Sequence, residues 1–524
     1  MIASRDSSRR ERFWFAAILV LALAVRVWDL NARSLWFDEA GEYWVSTAPF
    51  AHLAESVRTG TGDPPLYEFL LHTWMQYGTS EAWLRFLTVI ASVGGVAGVI
   101  VLTRLMVGGT VAPAVAGVLL ALLPADVRYA QEVGQYGFVP AIVAWNLVFL
   151  VMMTRELRWR AVLGWALTAL GASYLYYGTI FPIASAFVCV VVESIFRRDA
   201  RTRRATGTGL VLYILGMLPL VIWYLPTQLA RVVGGDSVSS SARHTVTGIL
   251  QKKWQMSCEL LAFQFTGWPH THIAPALVIA PALFLMVVAI RRAPRLLIWF
   301  AVAINVYAAA DALGIFPLGY RWGLIMTPLI ICAIATAVVA PRRKWLQWAA
   351  IAGFALLIAV DVYSLPNRTL RDRVYKDPSG AWPETEDMRG IAQFWKEQRT
   401  PSDPTYVYYG AAPAFAYYTR DIVKREALPS NWCLSCWHDK NPPLYCHESN
   451  VYYGRWMRNL DEHQILASIA ETLGGGPPTL WLVFGHLVPG DDRFIIAAFQ
   501  REGYRVVAGI EGVNASACLL TRTN

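Results

Sequence analysis

Long apolar segments alternate with short polar connections from residue 13 to residue 363. Most of these segments are about as long as an α-helix must be to cross the hydrocarbon core of a bilayer. A segment in lipid has to pair its own backbone N–H and C=O groups, so helices are the expected structure. The pattern predicts about eleven transmembrane helices. They lie at 13–30, 82–105, 111–127, 136–154, 161–177, 179–196, 207–229, 272–290, 296–316, 323–340 and 345–363.

Basic residues occur on every second connection between the predicted helices. Examples from successive connections are Arg9, Arg104, Arg158, Arg203, Arg291 and Arg343. Cytoplasmic loops of membrane proteins are enriched in Lys and Arg. We therefore expect a cytoplasmic N-terminus. The first loop at 31–81, the segment 230–271 and everything from residue 364 are then expected on the outer side.

The composition agrees with a membrane protein, since 55% of the residues are hydrophobic and only 16% are charged. The net charge of +9 is explained by cytoplasmic arginines facing anionic lipid headgroups. Membrane lipids are therefore the expected partners of the basic residues, and a nucleic-acid partner is not needed.

The composition becomes more polar from residue 364 onward. Hydrophobic periodicity there predicts helices and strands in alternation, which is typical of a small α/β domain. The helices are expected near 385–398, 461–473 and 492–502, and the strands near 405–410, 480–484, 505–510 and 516–521. The sequence thus predicts a transmembrane domain at 1–363 and an outer domain at 364–524. The outer domain could recognise an acceptor or stabilise the membrane domain.

The first outer loop contains two adjacent acids, Asp38 and Glu39, a few residues beyond the first apolar segment. Later in this loop, apolar and aromatic residues at helical spacing predict a surface helix over 66–77. Pro64 and Pro65 would set its start, since proline is tolerated in a first helical turn.

Other polar residues gather at the predicted outer ends of the spans, in the turn 126–136 and at 320–322. Polar groups at a membrane boundary are costly unless they face a water-filled cavity. Their concentration on one side predicts a cavity that opens outward, although each residue alone could be an interfacial anchor.

Several of these segments resemble one known family, the C-type glycosyltransferases. The segments are Arg26, Ser34–Ala40 (SLWFDEA), Asp63–Tyr67 (DPPLY), Leu84–Thr88 (LRFLT), Arg128–Glu132 (RYAQE) and, more weakly, Tyr320–Trp322 (YRW). Within that superfamily the chain resembles the protein O-mannosyltransferases and the bacterial aminoarabinose transferases that modify lipid A. The first 140 residues or so carry the similarity, and the rest of the chain agrees in topology.

The resemblance implies a polytopic helical enzyme of the bacterial inner membrane. Such enzymes move a sugar from a polyprenyl-phosphate donor to an acceptor hydroxyl on the outer face, with inversion at the anomeric carbon. The acceptor would be a glycan, a lipid or a protein. The first-loop aspartate of the family acts as the base, and Asp38 occupies that position here. A carboxylate suits this role because the attacking hydroxyl must lose a proton as the new bond forms. Glu39 would orient the acceptor or a neighbouring arginine.

The leaving lipid phosphate needs cationic donors, and a guanidinium can hold two phosphate oxygens at once. The candidates for donor or substrate binding are Arg85, Arg128, Arg321, His72, Tyr67, Glu132, Tyr320 and Asp63. Each arginine could instead extend its charge to lipid headgroups.

Two positions depart from the family pattern. Gly134 stands where relatives often have arginine, and Asp63 stands where we would expect His or Lys. Asp63 could therefore bind a different acceptor or a divalent cation. No other cofactor is implied.

Three cysteines of the outer domain, Cys433, Cys436 and Cys446, lie close in sequence to His438 and His447. This spacing is compatible with zinc or with a disulfide. A disulfide is favoured because the outer side is usually oxidising, with Cys518 as a further candidate partner. His270 and His272 are a weak metal signal, and we assign no metal site.

Two other classes of protein fit the pattern of spans. A transporter or flippase of a lipid-linked or small substrate would also have outward polar groups, but we find no clear internal repeat or midplane charge. A non-catalytic membrane scaffold would carry the outer domain without needing the acids.

Overall fold

The computed structural model describes residues 5–59, 63–156, 158–227, 258, 260–267, 276–313, 315–316, 320–367, 385–423, 444–446, 449–454, 462–473, 476–486 and 491–523. The chain divides into two compact units. The helical unit comprises Met1–Leu30, Asp63–Tyr67 and Trp83–Arg368. The sheet unit comprises Asn31–Gly62, Glu68–Ala82 and Thr369–Asn524.

The α-helices and strands are numbered along the chain. The helices up to residue 367 are α1 Arg5–Val27, α2 Phe37–Ser46, α3 Phe50–Thr59, α4 Leu66–Met75, α5 Glu81–Val107, α6 Val111–Leu122, α7 Pro124–Ala130, α8 Val139–Glu156, α9 Trp159–Leu175, α10 Ile180–Phe196, α11 Ala200–Pro219, α12 Ala276–Ala289, α13 Pro294–Ala312, α14 Thr327–Val339 and α15 Lys344–Asn367. Those after it are α16 Met388–Gln398, α17 Ala412–Tyr418, α18 Glu462–Leu473 and α19 Asp491–Arg501. The strands are β1 Thr405–Val407, β2 Leu444–Cys446, β3 Val451–Tyr453, β4 Thr479–Gly485, β5 Tyr504–Gly512 and β6 Ala515–Arg522.

Among the described residues, seven helices are long and apolar enough to cross a membrane, and the bent pair α6 and α7 would make an eighth. Helices also cover the other three predicted spans, but α9 has 17 residues, α12 has 14, and α1 carries several charges. The predicted number of eleven spans is therefore not confirmed.

The predicted span 111–127 is broken in the structure. Its two helices meet at an angle of 57°. Leu123, between them, has φ −60° and ψ 114°, which is an extended conformation. The residue before a proline is disfavoured from helical geometry, and Pro124 follows directly. The hydropathy pattern does not register such a break because apolar residues continue through it.

A buried ion pair joins distant helices of the helical unit. Arg26 of α1 and Asp126 of α7 lie 2.5 Å apart (Nη2 to Oδ2), with side chains 0% and 1% exposed. The hydroxyl of Ser92 donates to the same carboxylate oxygen at 2.6 Å. Arg26 also donates to the carbonyls of Leu120 and Ala121, at 3.1 and 2.9 Å. Asp126, which the sequence pattern places in a polar outward turn, is thus enclosed by protein.

The sheet unit is built on one six-stranded sheet with the order β2-β3-β1-β4-β6-β5. Strand β1 runs parallel to β3 and β4, and the remaining neighbours are antiparallel. The central strand β4 is buried on both faces, with Trp481 and Leu482 at 0% exposure. The predicted strands correspond to β1, β4, β5 and β6, whereas β2 and β3 have three residues each and are too short to give a periodic signal.

Part of the first loop belongs to the sheet unit and is helical. The predicted surface helix is α4, which ends at Met75. Asp38 lies in the first turn of α2, so this part of the connection between the first two predicted spans is helical. Burial accounts for the formation of α2 better than the intrinsic helix propensity of its residues does, since eight of its ten residues are buried.

Replacing Asp126 by leucine is expected to destabilise the protein by about 3–5 kcal/mol, because it leaves the buried Arg26 charge without its partner. The thermal unfolding temperature of the detergent-solubilised protein should fall. The double variant with Arg26→Leu should recover part of the loss. Glu55→Gln is the control, since its ion pair with Arg58 is exposed and should matter little. An unchanged unfolding temperature for Asp126→Leu would contradict this account.

Candidate active site

The two adjacent acids of the sheet unit have different surroundings. Asp38 is partly exposed, whereas Glu39 is only 2% exposed. They are the second and third residues of α2, so their side chains leave the helix in different directions. Acids in a first turn also interact favourably with the helix dipole. Asp38 can therefore meet a solvent-borne molecule, and Glu39 faces protein.

The segment around these acids is attached to α17 within the sheet unit. The N–H of Leu35 donates to the hydroxyl of Tyr418 at 2.6 Å. The indole N–H of Trp44 donates to the carbonyl of Pro413 at 2.9 Å. The ring of Tyr43 meets that of Tyr417 edge to face, with centroids 5.0 Å apart. Helix α2 is thus held on both sides of Asp38.

A second attachment involves Arg389 of α16. Its guanidinium forms a salt bridge with Glu81 and donates to the carbonyls of Asn31 and Arg33, at 3.1 and 3.0 Å. The hydroxyl of Tyr418 donates to Glu81 as well, at 2.8 Å. Local sequence patterns do not single out Arg389 or Glu81, because nothing in them links residues so far apart.

Aromatic rings and a buried polar pair lie beneath the start of α2. The ring of Phe37 stacks on the imidazole of His486 at 4.6 Å and approaches the ring of Tyr409 at 5.7 Å. Nδ1 of His486 lies 3.0 Å from Oε1 of Glu386. Burial, followed by the nearby charge of Asp38, raises the pKa of Tyr409, so its hydroxyl stays protonated at neutral pH. Glu386, Tyr409 and His486 are not among the residues that the sequence pattern singles out.

The helical unit contains the candidate arginines. Arg85 and Arg128 are 1% and 2% exposed, so their charges lie inside protein and do not extend to headgroups. Arg85 donates to the carbonyl of Leu30 at 3.0 Å, and Arg128 donates to that of Gly267 at 2.6 Å. Arg321 differs from them because it is partly exposed.

Aromatic side chains and one acid surround Arg321. Its guanidinium lies over the ring of Tyr136, 4.9 Å from the centroid. The ring of Tyr176 lies 5.5 Å from that of Tyr136 and is within electrostatic range of both Arg321 and Asp63. The hydroxyl of Tyr224 donates to the backbone carbonyl of Asp63. A guanidinium, a carboxylate and several phenols thus share one region of the helical unit.

The remaining candidates for substrate binding have varied settings. Tyr67 is buried and packs against Phe138, with centroids 5.7 Å apart. Glu132 is 4% exposed. His72 belongs to the sheet unit, where Nδ1 lies 2.9 Å from the carbonyl oxygen of Ser46 and so links α4 to the end of α2. Tyr320 begins a short 3₁₀ helix, Tyr320–Met326, but its side chain is outside the described residues.

The predicted cysteine cluster falls largely outside the described residues. Cys433, Cys436, His438 and His447 of this cluster are not described. The same is true of His270 and His272, the other possible metal ligands. Only the backbone of Cys446, in β2, is described. Cys518 is a free cysteine in β6, and burial raises the pKa of its thiol to about 12. The structure therefore does not show Cys518 in a disulfide. The described residues contain no group of three or more His, Cys, Asp or Glu side chains that could hold a metal.

The arrangement of apolar helices followed by a small sheet is similar in fold to solved structures of C-type, or GT-C, glycosyltransferases. No family model and no curated protein matches the chain. Among solved structures, the chain is similar to ArnT, an aminoarabinose lipid A transferase, from Cupriavidus metallidurans bound to undecaprenyl phosphate. The TM-score is 0.52 at 15% identity, over 97% of this chain and 98% of that one.

A second similar structure is the oligosaccharyltransferase AglB from Archaeoglobus fulgidus in complex with an inhibitory peptide and a dolichol-phosphate. The TM-score is 0.50 at 12% identity, over 97% of this chain and 74% of that one. At these identities the similarities establish the fold. They confirm the GT-C resemblance that the sequence analysis found in a few short segments.

We expect Arg389→Ala to loosen the segment that carries Asp38, because several hydrogen bonds to Glu81 and to the 31–33 backbone are lost together. Hydrogen–deuterium exchange of residues 31–46 should accelerate by about tenfold or more, since bonds to charged groups contribute roughly 1.5–3 kcal/mol. Lys396→Gln is the control on the same helix, because its partner Asp421 is exposed. Unchanged exchange in Arg389→Ala would contradict the attachment.

Proposed function

We propose that the protein is an integral-membrane glycosyltransferase that moves a sugar from a polyprenyl-phosphate donor to an acceptor hydroxyl. The supporting observation is that both solved structures match 97% of this chain and contain a lipid phosphate of this class. ArnT holds undecaprenyl phosphate, and AglB holds dolichol-phosphate together with a peptide. The lipid carrier is thus the element that the two structures have in common.

Asp38 is the proposed base. The acceptor oxygen attacks the anomeric carbon as the bond from that carbon to the phosphate oxygen breaks, and the acceptor proton passes to the carboxylate. Attack on the face opposite the leaving phosphate inverts the configuration. The partial exposure of Asp38 supports this role, since the base must reach a molecule that enters from outside. Glu39, which is buried, orients neighbouring groups.

The proposed phosphate site uses guanidinium groups of the helical unit. The leaving phosphate gains negative charge in the transition state, and fixed cations stabilise it most in a water-poor site. Arg85 and Arg128 are buried and held by backbone carbonyls, which suits preorganised charges. Arg321 is partly exposed and lies against aromatic rings, which suits contact with an entering lipid headgroup.

Asp63, Tyr67, His72, Glu132 and Tyr320 complete the proposed substrate contacts. Asp63 has a carboxylate at a position where relatives are expected to have a basic side chain. It therefore favours binding of a cationic group on the substrate or of a divalent cation. The acceptor class is a glycan, a lipid or a protein. We place the protein in a bacterial inner membrane, with a cytoplasmic N-terminus and the sheet unit on the periplasmic side.

Asp38→Asn is expected to abolish turnover but leave donor binding intact, because it removes the proton acceptor and keeps the shape. We expect kcat to fall by about 10²–10⁴-fold, measured as consumption of a panel of undecaprenyl-phosphate-linked sugars by the purified protein. Asp421→Asn is the control, as an exposed acid of the same unit. Unchanged consumption would refute the base. Movement of substrate across the bilayer that survives Asp38→Asn would indicate a transporter.

Arg321→Gln should weaken binding of undecaprenyl phosphate by about tenfold to a hundredfold, which corresponds to the loss of one bond to a charged group. Binding to the purified protein can be followed by microscale thermophoresis or native mass spectrometry. Arg197→Gln is the matched control, because Arg197 is 68% exposed and pairs with Glu193. Full affinity in both Arg321→Gln and Arg128→Gln would argue against the phosphate site.

A further inference from the structure

The helix that carries Asp38 is not capped by the side chain of its N-cap residue. The first N–H groups of a helix have no partner within it and are usually satisfied by a side chain at the N-cap. The N-cap of α2 is Trp36, which forms no side-chain cap hydrogen bond. An indole offers only a donor, so it could not accept one. The N–H of Phe37 instead lies near the carboxylate of Glu386, a residue far along the chain, and favours its charged form.

Glu386 is itself held by a histidine. Both side chains are enclosed, His486 at 3% exposure and Glu386 at 0%, and Nδ1 lies 3.0 Å from Oε1. Among the described residues, the other oxygen of Glu386, Oε2, has no hydrogen-bond partner. Burial raises the pKa of Glu386, and the bond from His486 opposes that rise. A buried carboxylate with so few bonds is costly unless it has a specific task.

The position of His486 follows from the sheet. It comes directly after the carboxyl end of β4 and has φ +52°, a backbone conformation that residues other than glycine seldom adopt. The neighbouring strand β1 leads into Gly410, where a Cβ would lie 2.5 Å from the carbonyl oxygen of Gly485 and 2.9 Å from Cβ of His486. Two parallel strand ends therefore meet closely at this edge and fix the imidazole in place.

One imidazole thus makes two contacts with the start of α2. It bonds through Nδ1 to the carboxylate of Glu386, and its face stacks on the ring of Phe37 at 4.6 Å with planes 18° apart. Asp38 is the next residue, and its charge acts on both Glu386 and Tyr409. The pair therefore packs against the residue that immediately precedes the proposed base.

We propose that Glu386 and His486 are positioning residues for Asp38. Glu386 caps the first turn of α2 from outside the helix, and His486 fixes both that cap and the ring of Phe37. The direction of the Asp38 carboxylate is then set by the sheet, so the C-terminal segment is a working part of the active site. This inference rests on the proposed function, because it gives Asp38 the role of base. A polar pair that only stabilised the fold would not change turnover per folded molecule.

The test compares Glu386→Ala and Glu386→Gln with the full-length wild-type protein. Glutamine can still accept the N–H of Phe37, whereas alanine cannot. We expect hydrogen–deuterium exchange of residues 37–39 to accelerate at least tenfold in Glu386→Ala and less in Glu386→Gln. With an undecaprenyl-phosphate-linked sugar that the wild-type protein consumes, kcat should fall at least tenfold in Glu386→Ala and recover partly in Glu386→Gln. KM for that donor should change less than twofold.

His486→Phe provides a second test that keeps the ring contact with Phe37 and removes the bond to Glu386. It should lower kcat in the same way, with KM unchanged. Asp403→Asn is the matched control, because Asp403 is an acid of the same unit that accepts bonds from Thr400 and Thr479. Comparable unfolding temperatures identify the variants that are folded.

The outcomes separate the two proposals. Unchanged exchange at residues 37–39 in both Glu386→Ala and His486→Phe overturns the capping role, whatever the activity. Accelerated exchange with unchanged kcat, while Asp38→Asn is inactive, overturns the positioning role. If Asp38→Asn retains full turnover, the proposed base is wrong, and the exchange result still tests the cap. Accelerated exchange with a lower kcat and constant KM supports the inference.

Discussion

A charged carboxylate that must meet substrate needs solvent, but the helix that carries it needs buried partners to stay in place. In the sheet unit, two adjacent residues of α2 satisfy these two requirements. Asp38 is partly exposed, while Phe37 beside it is buried on His486 and Tyr409. Helix α2 is ten residues long, and isolated helices of that length are marginal in water. Its existence and its direction therefore depend on the residues packed around it.

The buried arginines of the helical unit also depend on the residues around them, because each has hydrogen-bond partners. The guanidinium of Arg26 donates hydrogen bonds to one carboxylate, one hydroxyl and several backbone carbonyls. Its charge is therefore compensated although the side chain is fully buried. Arg85 and Arg128 are buried as well and have carbonyl partners. Three buried arginines in one apolar bundle are expensive unless each has a structural or chemical task. For Arg26 that task is structural, since it joins α1 to α5, α6 and α7.

The fold and the function have different kinds of support. Similarity over nearly the whole chain to ArnT and AglB establishes the GT-C fold, although few residues are identical. Folds host more than one activity, so the reaction has to be argued from the site. In the sheet unit the candidate residue is the partly exposed acid on α2, and in the helical unit the candidates are the buried arginines. Gly134 and Asp63 are the two positions at which the chain departs from the pattern of the C-type glycosyltransferases that it resembles.

The sequence by itself determined the membrane class, the helices near most predicted spans, the main strands of the C-terminal sheet and the resemblance to GT-C enzymes. These features depend on local periodicity and short motifs, which a single chain displays directly. It also singled out Asp38 and Glu39 and the arginines, because charges beside apolar spans are conspicuous. The break at Leu123 could be read only weakly, since Pro124 is its one local sign.

Only the tertiary structure decided what surrounds those residues. Glu386, Arg389, Tyr409 and His486 lie in ordinary-looking segments, and no periodic pattern connects them to a helix that begins at residue 37. Helix α2 was missed for the same reason, because burial against distant residues outweighs its modest helix propensity. Short strands such as β2 and β3 likewise form because their backbones pair with a neighbouring strand. Contacts between residues far apart in the chain form only in the folded molecule, so they cannot be predicted from local sequence patterns.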